Sequence, residues 1–288
     1  KLSKVFKENS QWCSILGANG ISSVNVAIRN GKTKEMIAIA EALHERKYAE
    51  IADEVYKRRD SVKLVLIAGP SSSGKTTTSK RIALQCKVLG LNPKVIAMDD
   101  YFVNREFTPK DENGEYDFES IYAMDLDFLS TQLNALFQGE EVELPKFDFI
   151  QGKRVPSGHF MTLKEGDVLI MEGIHALNPE LTKHIGSEKV FRVYASALTT
   201  LSVDENNSIS TADTRMLRRM VRDNRTRGIV PEETILRWMS VRRGEERNIF
   251  PFQENADIMF NSSILFELPL LKYYAEPLLK RIPPLSKA

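Results

Sequence analysis

One run in the chain, Gly69-Pro70-Ser71-Ser72-Ser73-Gly74-Lys75-Thr76, matches the spacing G-x-x-x-x-G-K-[ST] in full. Glycines there let the backbone curl so that successive N–H groups and the positive end of a following helix face a phosphate tail. Lys75 has the charge to neutralise β and γ oxygens, and the Thr76 hydroxyl is a hard oxygen ligand suited to Mg²⁺. The motif predicts a nucleoside triphosphate site and leaves the reaction open. An Asn-Lys-x-Asp base-reading motif and a Leu-Ser-Gly-Gly run are both absent, which argues against GTPases and ABC-type ATPases and leaves kinases and less typical ATPases.

Two acids follow apolar runs, where ligands of open α/β sheets bind. Val95-Ile96-Ala97-Met98 runs into Asp99-Asp100-Tyr101-Phe102. A carboxylate there could accept the proton of an attacking hydroxyl, or the acids could simply open a turn. Val168-Leu169-Ile170-Met171 runs into Glu172-Gly173-Ile174-His175, and Glu172 could bind Mg²⁺ or merely end a strand. His175 by itself reads as a local hydrogen-bonding group.

Between Arg215 and Arg247 every basic residue is Arg. Arg215, Arg218, Arg219 and Arg222 recur at i, i+3, i+4, i+7, with Arg225 and Arg227 beyond, while Met216, Leu217, Met220 and Val221 fall on the opposite side. The planar guanidinium fork suits phosphate oxygens, so the cationic face could close over a transferring phosphoryl group. A solvated helix with acidic neighbours is the plainer reading, and an RNA surface a third. From Asp99 to Glu119 acids outnumber bases, with only Arg105 and Lys110 opposing them, which suits an uncharged polyhydroxylated acceptor better than a phosphorylated one.

These groups need a scaffold, and the pattern supplies one. From Lys63 onward short apolar runs alternate with helical periodicity, the pattern of a parallel sheet with crossover helices. Predicted strands are Leu64–Ala68, Val95–Met98, Val168–Met171, Val190–Tyr194 and Ile258–Phe260. Predicted helices are Ser73–Leu89, Leu126–Leu136, Thr211–Asp223, Pro231–Glu246 and Leu265–Leu279. The expected fold is therefore α/β, a P-loop-type parallel sheet flanked by helices, spanning residues 61–288, with an Arg-rich lid helix. Residues 1–60 form a short α+β extension, with a strand at Val24–Ile28 and one or two amphipathic helices over Lys34–Arg59. Ser196–Ser210, rich in Asp, Asn and Ser, reads as a mobile connection.

The 288 residues carry 42% hydrophobic and 27% charged side chains, an ordinary globular balance able to bury a sizeable core. A net charge of +1 argues against a polyanion-binding surface over the whole molecule, so nucleic acid is disfavoured as a partner. No apolar run approaches the roughly 18 residues of a membrane helix, and the start lacks a signal-peptide core, so the expected compartment is the cytoplasm. Cys13 and Cys86 form no metal or disulfide pattern. The chain opens on Lys1, as a piece trimmed from a longer protein would.

In order along the chain these motifs resemble the uridine kinase and phosphoribulokinase family of P-loop kinases, over about Val62 to Leu279. Gly69–Thr77 resembles its phosphate loop and Met98-Asp99-Asp100-Tyr101-Phe102 its Asp-Ser-Phe-Tyr segment. Tyr116-Asp117-Phe118-Glu119 resembles its Phe-Asp-His-Pro, Pro145-Lys146-Phe147-Asp148-Phe149 its Pro-x-Tyr-Asp-Phe, and Ile170–Ile174 its strand ending in Glu-Gly-Ile. Asp213–Asp223 is very similar to its lid helix. The resemblance implies transfer of the ATP γ-phosphoryl group to a primary hydroxyl, with Mg²⁺. Asp99 would be the base, with Asp100 the fallback. Lys75, Gly69, Ser71, Ser72, Ser73, Gly74, Thr76 and Thr77 would hold phosphates, and Thr76 with Glu172 the metal. Arg218, Arg222, Arg225 and Arg227 would clamp phosphates. Asp100, Tyr101, Asp117, Phe147 and Arg154 would face the acceptor.

The chain departs from the family at the segment that reads the pyrimidine. Phe147 stands for the Tyr, and no His follows until His159, although uridine kinases carry one shortly after Tyr-Asp-Phe. The stretch Ile37–Asp53 and the wording of the kinase part look most like a subgroup of nucleoside kinases. That subgroup carries an N-terminal region similar to accessory domains of threonyl-tRNA synthetases, of which residues 1–60 would be the end. The leading expectation is a nucleoside kinase, able to act as a homo-oligomer. The rivals are a same-fold kinase for a sugar, polyol, phosphosugar or pantothenate-like acceptor, and a non-catalytic ATP- or RNA-binding regulatory module.

Overall fold

The computed structural model describes residues 1–182, 189–199, 201–204, 207–284, 286 and 288. In chain order its elements are α1 (Leu2–Ile15), α2 (Ile21–Arg29), α3 (Thr33–Lys57), β1 (Leu64–Ala68), α4 (Lys75–Val88), β2 (Asn92–Ala97), α5 (Leu126–Phe137), β3 (Val142–Asp148), β4 (Lys153–Met161), β5 (Asp167–Glu172), α6 (Pro179–Thr182), β6 (Val190–Ser196), α7 (Thr211–Thr226), α8 (Pro231–Asn248), β7 (Ile258–Asn261) and α9 (Glu267–Leu279). Five strands pair in the order β2-β5-β1-β6-β7, and every pairing is parallel. Leu64 faces Leu169 on one side and Val190 on the other.

β1 and β5 are buried along their whole length, which explains why both read as unbroken apolar runs. The period of two sends alternate residues to opposite faces. Leu64, Leu66 and Ala68 join Leu129, Leu133 and Leu136 of α5, whereas Val65 and Ile67 join Ile82 and Cys86 of α4 and Tyr48, Ile51 and Val55 of α3. The second face of the sheet is thus covered in part by residues before position 60. No helix among the described residues is long and apolar enough to cross a membrane.

One local reading changes. Val24–Ile28 is not a strand but lies within α2. Ile21, Val24 and Ala27 recur every third residue and pack with Met36, Leu201 and Leu268, while Val26 and Ile28 stay exposed. The helical period thus outweighs the local β preference of branched side chains. Ser23 reinforces the helix start, accepting from the Gly20 N–H at 3.0 Å. Of the one or two helices expected over Lys34–Arg59, the structure has one, α3. In the Ser196–Ser210 connection Ser202 bridges Gly20 and Ser208 and Leu201 is buried; residues 200, 205 and 206 lie outside the described residues.

Two features were missed altogether, helix α1 and the antiparallel hairpin β3-β4. The hairpin pairs Phe147 with Arg154 and Asp148 with Lys153. Its turn is set by the Asp148 carboxylate, which accepts from the N–H groups of Ile150 and Gln151 at 2.9 Å each. An Asp followed four residues later by Gly was the available signal.

Candidate active site

The phosphate-type loop leaves the end of β1 and enters α4, as its sequence context predicts. Gly69 is required by close approach: a Cβ there would lie 2.0 Å from the Ala195 carbonyl oxygen and 2.5 Å from Ser73 Oγ. Ser72 is the only non-glycine residue at positive φ among the described residues, at +57°. Lys75 folds back over the loop and donates to the Pro70 carbonyl at 3.2 Å. The Ser72 and Ser73 hydroxyls are buried with no partner. Buried hydroxyls beside a helix start and a lysine fit a polyphosphate, which would satisfy them. Thr77 lies exposed on the first turn of α4.

Across the loop, the Thr76 Oγ1 hydroxyl donates to Glu172 Oε1 at 2.5 Å. The two oxygens expected to meet Mg²⁺ are therefore in contact, and a hard cation that takes its other ligands from nucleotide and water suits this donor set. Burial pushes the Glu172 carboxyl up, and the Lys75 ammonium opposes that. Burial likewise pushes Lys75 down, against the pull of Glu172 and Asp99.

Asp99 sits in the tight turn Met98–Tyr101 that ends β2. A Cβ on Gly173 would lie 2.6 Å from Met98 Cβ, so only glycine lets the ends of β2 and β5 approach this closely. Asp99 shares a cleft with Ser71, Lys75, Arg222 and Arg227, and Phe102, Phe147 and Phe149 line it too. Asp100 points elsewhere. Its carboxylate accepts from the Phe147 N–H at 3.0 Å and ties the hairpin to the turn, and burial pushes it up. That contact removes the fallback role given to Asp100.

The predicted arginine clamp divides in two. Arg222 and Arg227 line the cleft. Arg222 Nε donates to Asp223 at 2.7 Å, and Arg227 donates to Asp99 Oδ2 at 3.3 Å with its guanidinium 3.9 Å from the centre of the Phe149 ring. Burial lowers the Arg227 pKa, and neighbouring Arg222 adds to this. Arg218 is on the other side of the loop, paired with Glu267 and donating to the Ser72 carbonyl at 3.2 Å. Arg225 is exposed and does not line the cleft. The regular spacing did not reveal this division, because a stripe on a helix says nothing of what lies opposite each turn.

Of the expected acceptor residues, Phe147 lines the cleft. Asp117 lies in an adjoining hollow that shares Phe118, Glu119, Arg219 and Arg237 with it, and accepts from the Glu119 N–H at 3.1 Å. Tyr101 and Arg154 are corrections. Tyr101 is 1% exposed and donates to Gln132 at 2.8 Å, so it is a core residue. Arg154 pairs with Asp125 at 2.8 Å and stacks over Phe128, holding the hairpin against α5. Arg105 is a missed residue of the cleft, and Arg219, read only as part of the cationic face, lines it as well. Arg219 donates to Ser71 Oγ at 2.8 Å.

A strand-loop-helix phosphate cradle, an acid at the next strand end and arginines facing both define a P-loop phosphotransferase. The profile of the Phosphoribulokinase / Uridine kinase family matches residues 64–265, and the chain belongs to that family. The uridine kinase of Staphylococcus aureus strain JH9 is 31% identical over 197 residues, covering 68% of this chain and 86% of that one. The same values hold for the uridine kinase of strain Newman. Among solved structures, a candidate fructose transport system kinase from Silicibacter sp. TM1040 superimposes with a TM-score of 0.51 at 19% identity, covering 74% of this chain and 98% of that one. YFH7 from Saccharomyces cerevisiae, a candidate P-loop-containing kinase with a circular permutation, gives 0.54 at 11% identity, covering 76% and 99%. These last two likenesses show the fold alone.

Proposed function

We infer that the protein transfers the γ-phosphoryl group of ATP, with Mg²⁺, to the primary hydroxyl of a nucleoside. The observation that carries this reading is that Asp99 shares one cleft with Lys75 and the phosphate loop. Asp99 would accept the proton of the acceptor hydroxyl as the oxygen attacks, and hold that oxygen in line. Lys75, Arg222 and Arg227 would stabilise the charge of the transferring group, and Thr76 with Glu172 would hold the metal, which supplies charge neutralisation when bound. The aromatic walls Phe102, Phe147 and Phe149 favour a planar or ring-bearing acceptor. Residues 61–288 form the catalytic unit in this reading, and residues 1–60 brace it. The test is ADP release over a panel of nucleosides, pentoses, polyols and pantothenate. A nucleoside should lead; turnover of another alcohol alone would keep the kinase and replace the acceptor, and no turnover on any of them would refute the reading.

A further inference from the structure

The peptide groups of Ser71 are gripped by a buried ion pair that lies outside the cleft. Glu245 on α8 is 0% exposed and Arg215 on α7 is 1% exposed. Arg215 Nη1 and Nη2 meet the two Glu245 carboxylate oxygens at 2.5 and 2.8 Å. The same pair holds the phosphate loop from both sides. Glu245 Oε1 accepts from the Ser71 N–H at 3.0 Å, and Arg215 Nη1 donates to the Ser71 carbonyl at 3.2 Å. Apolar side chains of similar volume would fill this space without the cost of taking two charges out of water, so packing alone does not account for the pair.

The next residue shows what the grip can do. Ser72 adopts φ +57°, a left-handed conformation that a residue with a side chain holds only when its surroundings fix it. Its carbonyl is taken by Arg218 at 3.2 Å, and the Ser73 carbonyl by Ser262 Oγ at 2.5 Å. Three successive carbonyls, at Ser71, Ser72 and Ser73, are thus bonded to groups outside the loop. Carbonyls engaged on that side turn their peptide N–H partners the other way, as an anion-binding nest requires, although the Ser73 N–H donates to the Pro70 carbonyl at 3.2 Å.

We propose that Arg215 and Glu245 are positioning residues for nucleotide binding: they fix the Ser71 peptide groups, and through them the left-handed turn at Ser72 that aims the loop amides at the phosphates. Because Ser71 gives its N–H to Glu245, the phosphate-facing amides begin at Ser72. The proposal rests on the kinase reading above for its ligand, but ATP affinity reports on it without any acceptor.

The experiment pairs Glu245→Leu with Arg215→Met in one full-length chain, so that neither charge is left buried alone. ATP affinity is read with a fluorescent ATP analogue, alongside thermal melting and, where turnover exists, KM for each substrate. The double variant is expected to melt near the wild type yet bind ATP about tenfold more weakly, the effect of losing one charge-assisted hydrogen-bond geometry, with the acceptor KM unchanged. Wild-type ATP affinity in a folded double variant overturns the proposal, because it would make the pair structural only. Should the double variant fail to fold, Glu245→Gln decides, since it keeps the volume and one acceptor oxygen. A loss of about threefold or more in ATP affinity supports the proposal, and an unchanged affinity overturns it. A wild type that binds ATP but phosphorylates nothing removes the kinase reading while the binding comparison still decides this one.

Discussion

Helix α7 and Arg227, the residue that follows it, carry two sets of arginines beside the phosphate loop, and the sets differ in what opposes them. Arg222 and Arg227 face a solvent-reachable cleft, where Arg227 also reaches Asp99 at 3.3 Å. Arg215 and Arg218 face protein, held by Glu245 and Glu267, and donate to loop carbonyls. The first set lies where a ligand's phosphates can reach it, and the buried Asp223 it shares keeps Arg219 as a partner. The second cannot turn to a ligand without leaving a carboxylate buried and unpaired, so its effect on phosphate passes through the loop backbone. Identical side chains one or two turns apart thus do different work because of the residues packed opposite them.

Changes on the cleft side should damage chemistry, and changes behind the loop should damage folding or nucleotide affinity. The largest expected effect is on the cleft side. Asp99→Asn should lower acceptor phosphorylation about a thousandfold while ATP affinity stays near wild type, measured by ADP release and nucleotide binding. Behind the loop, Arg215→Met alone leaves Glu245 buried without its cation and should cost about 4 kcal/mol of stability, a fall of roughly 10 °C in Tm by calorimetry. Equal effects of the two changes on stability would erase the contrast.

A third test concerns burial beneath the cleft. Burial holds the His175 pKa down to about 4 from 6.5, so the folded protein keeps the ring neutral. As pH falls below 6.5 the unfolded chain takes up a proton that the folded chain refuses, and stability drops until about pH 4, where the loss levels off. The full window amounts to on the order of 3 kcal/mol. Urea unfolding of wild type and His175→Gln across that range should show a shallower pH slope in the variant. The smallest effects separate neighbours on the lid: Arg227→Ala should reduce kcat/KM about tenfold, and Arg225→Ala by less than about twofold.

Much of the candidate site was legible because it is local. Gly69 to Thr76 are consecutive, and Asp99 and Glu172 each end a strand whose apolar run announces it. What was not legible depended on contacts between distant residues. Asp99 and Asp100 are adjacent and chemically identical, yet only Asp99 enters the cleft, since the Phe147 N–H claims the other at 3.0 Å. Tyr101 and Arg154 looked like acceptor contacts because they stand beside motif residues. Gln132 of α5 and Asp125, which caps that helix, draw them away. The hairpin β3-β4 was missed because its alternation is weak, and Val24–Ile28 was misread because five branched and small residues fit either period.

The sequence by itself determined the order of the five sheet strands and of the long helices after Lys63, the phosphate loop and the acids at the strand ends, since hydrophobic period and short motifs depend on near neighbours in the chain. Only the tertiary structure decided which arginines face the cleft, which of two aspartates lines it, and that Glu245 holds Ser71. Those outcomes depend on what packs opposite each side chain, and the partners lie up to 174 positions away in the chain.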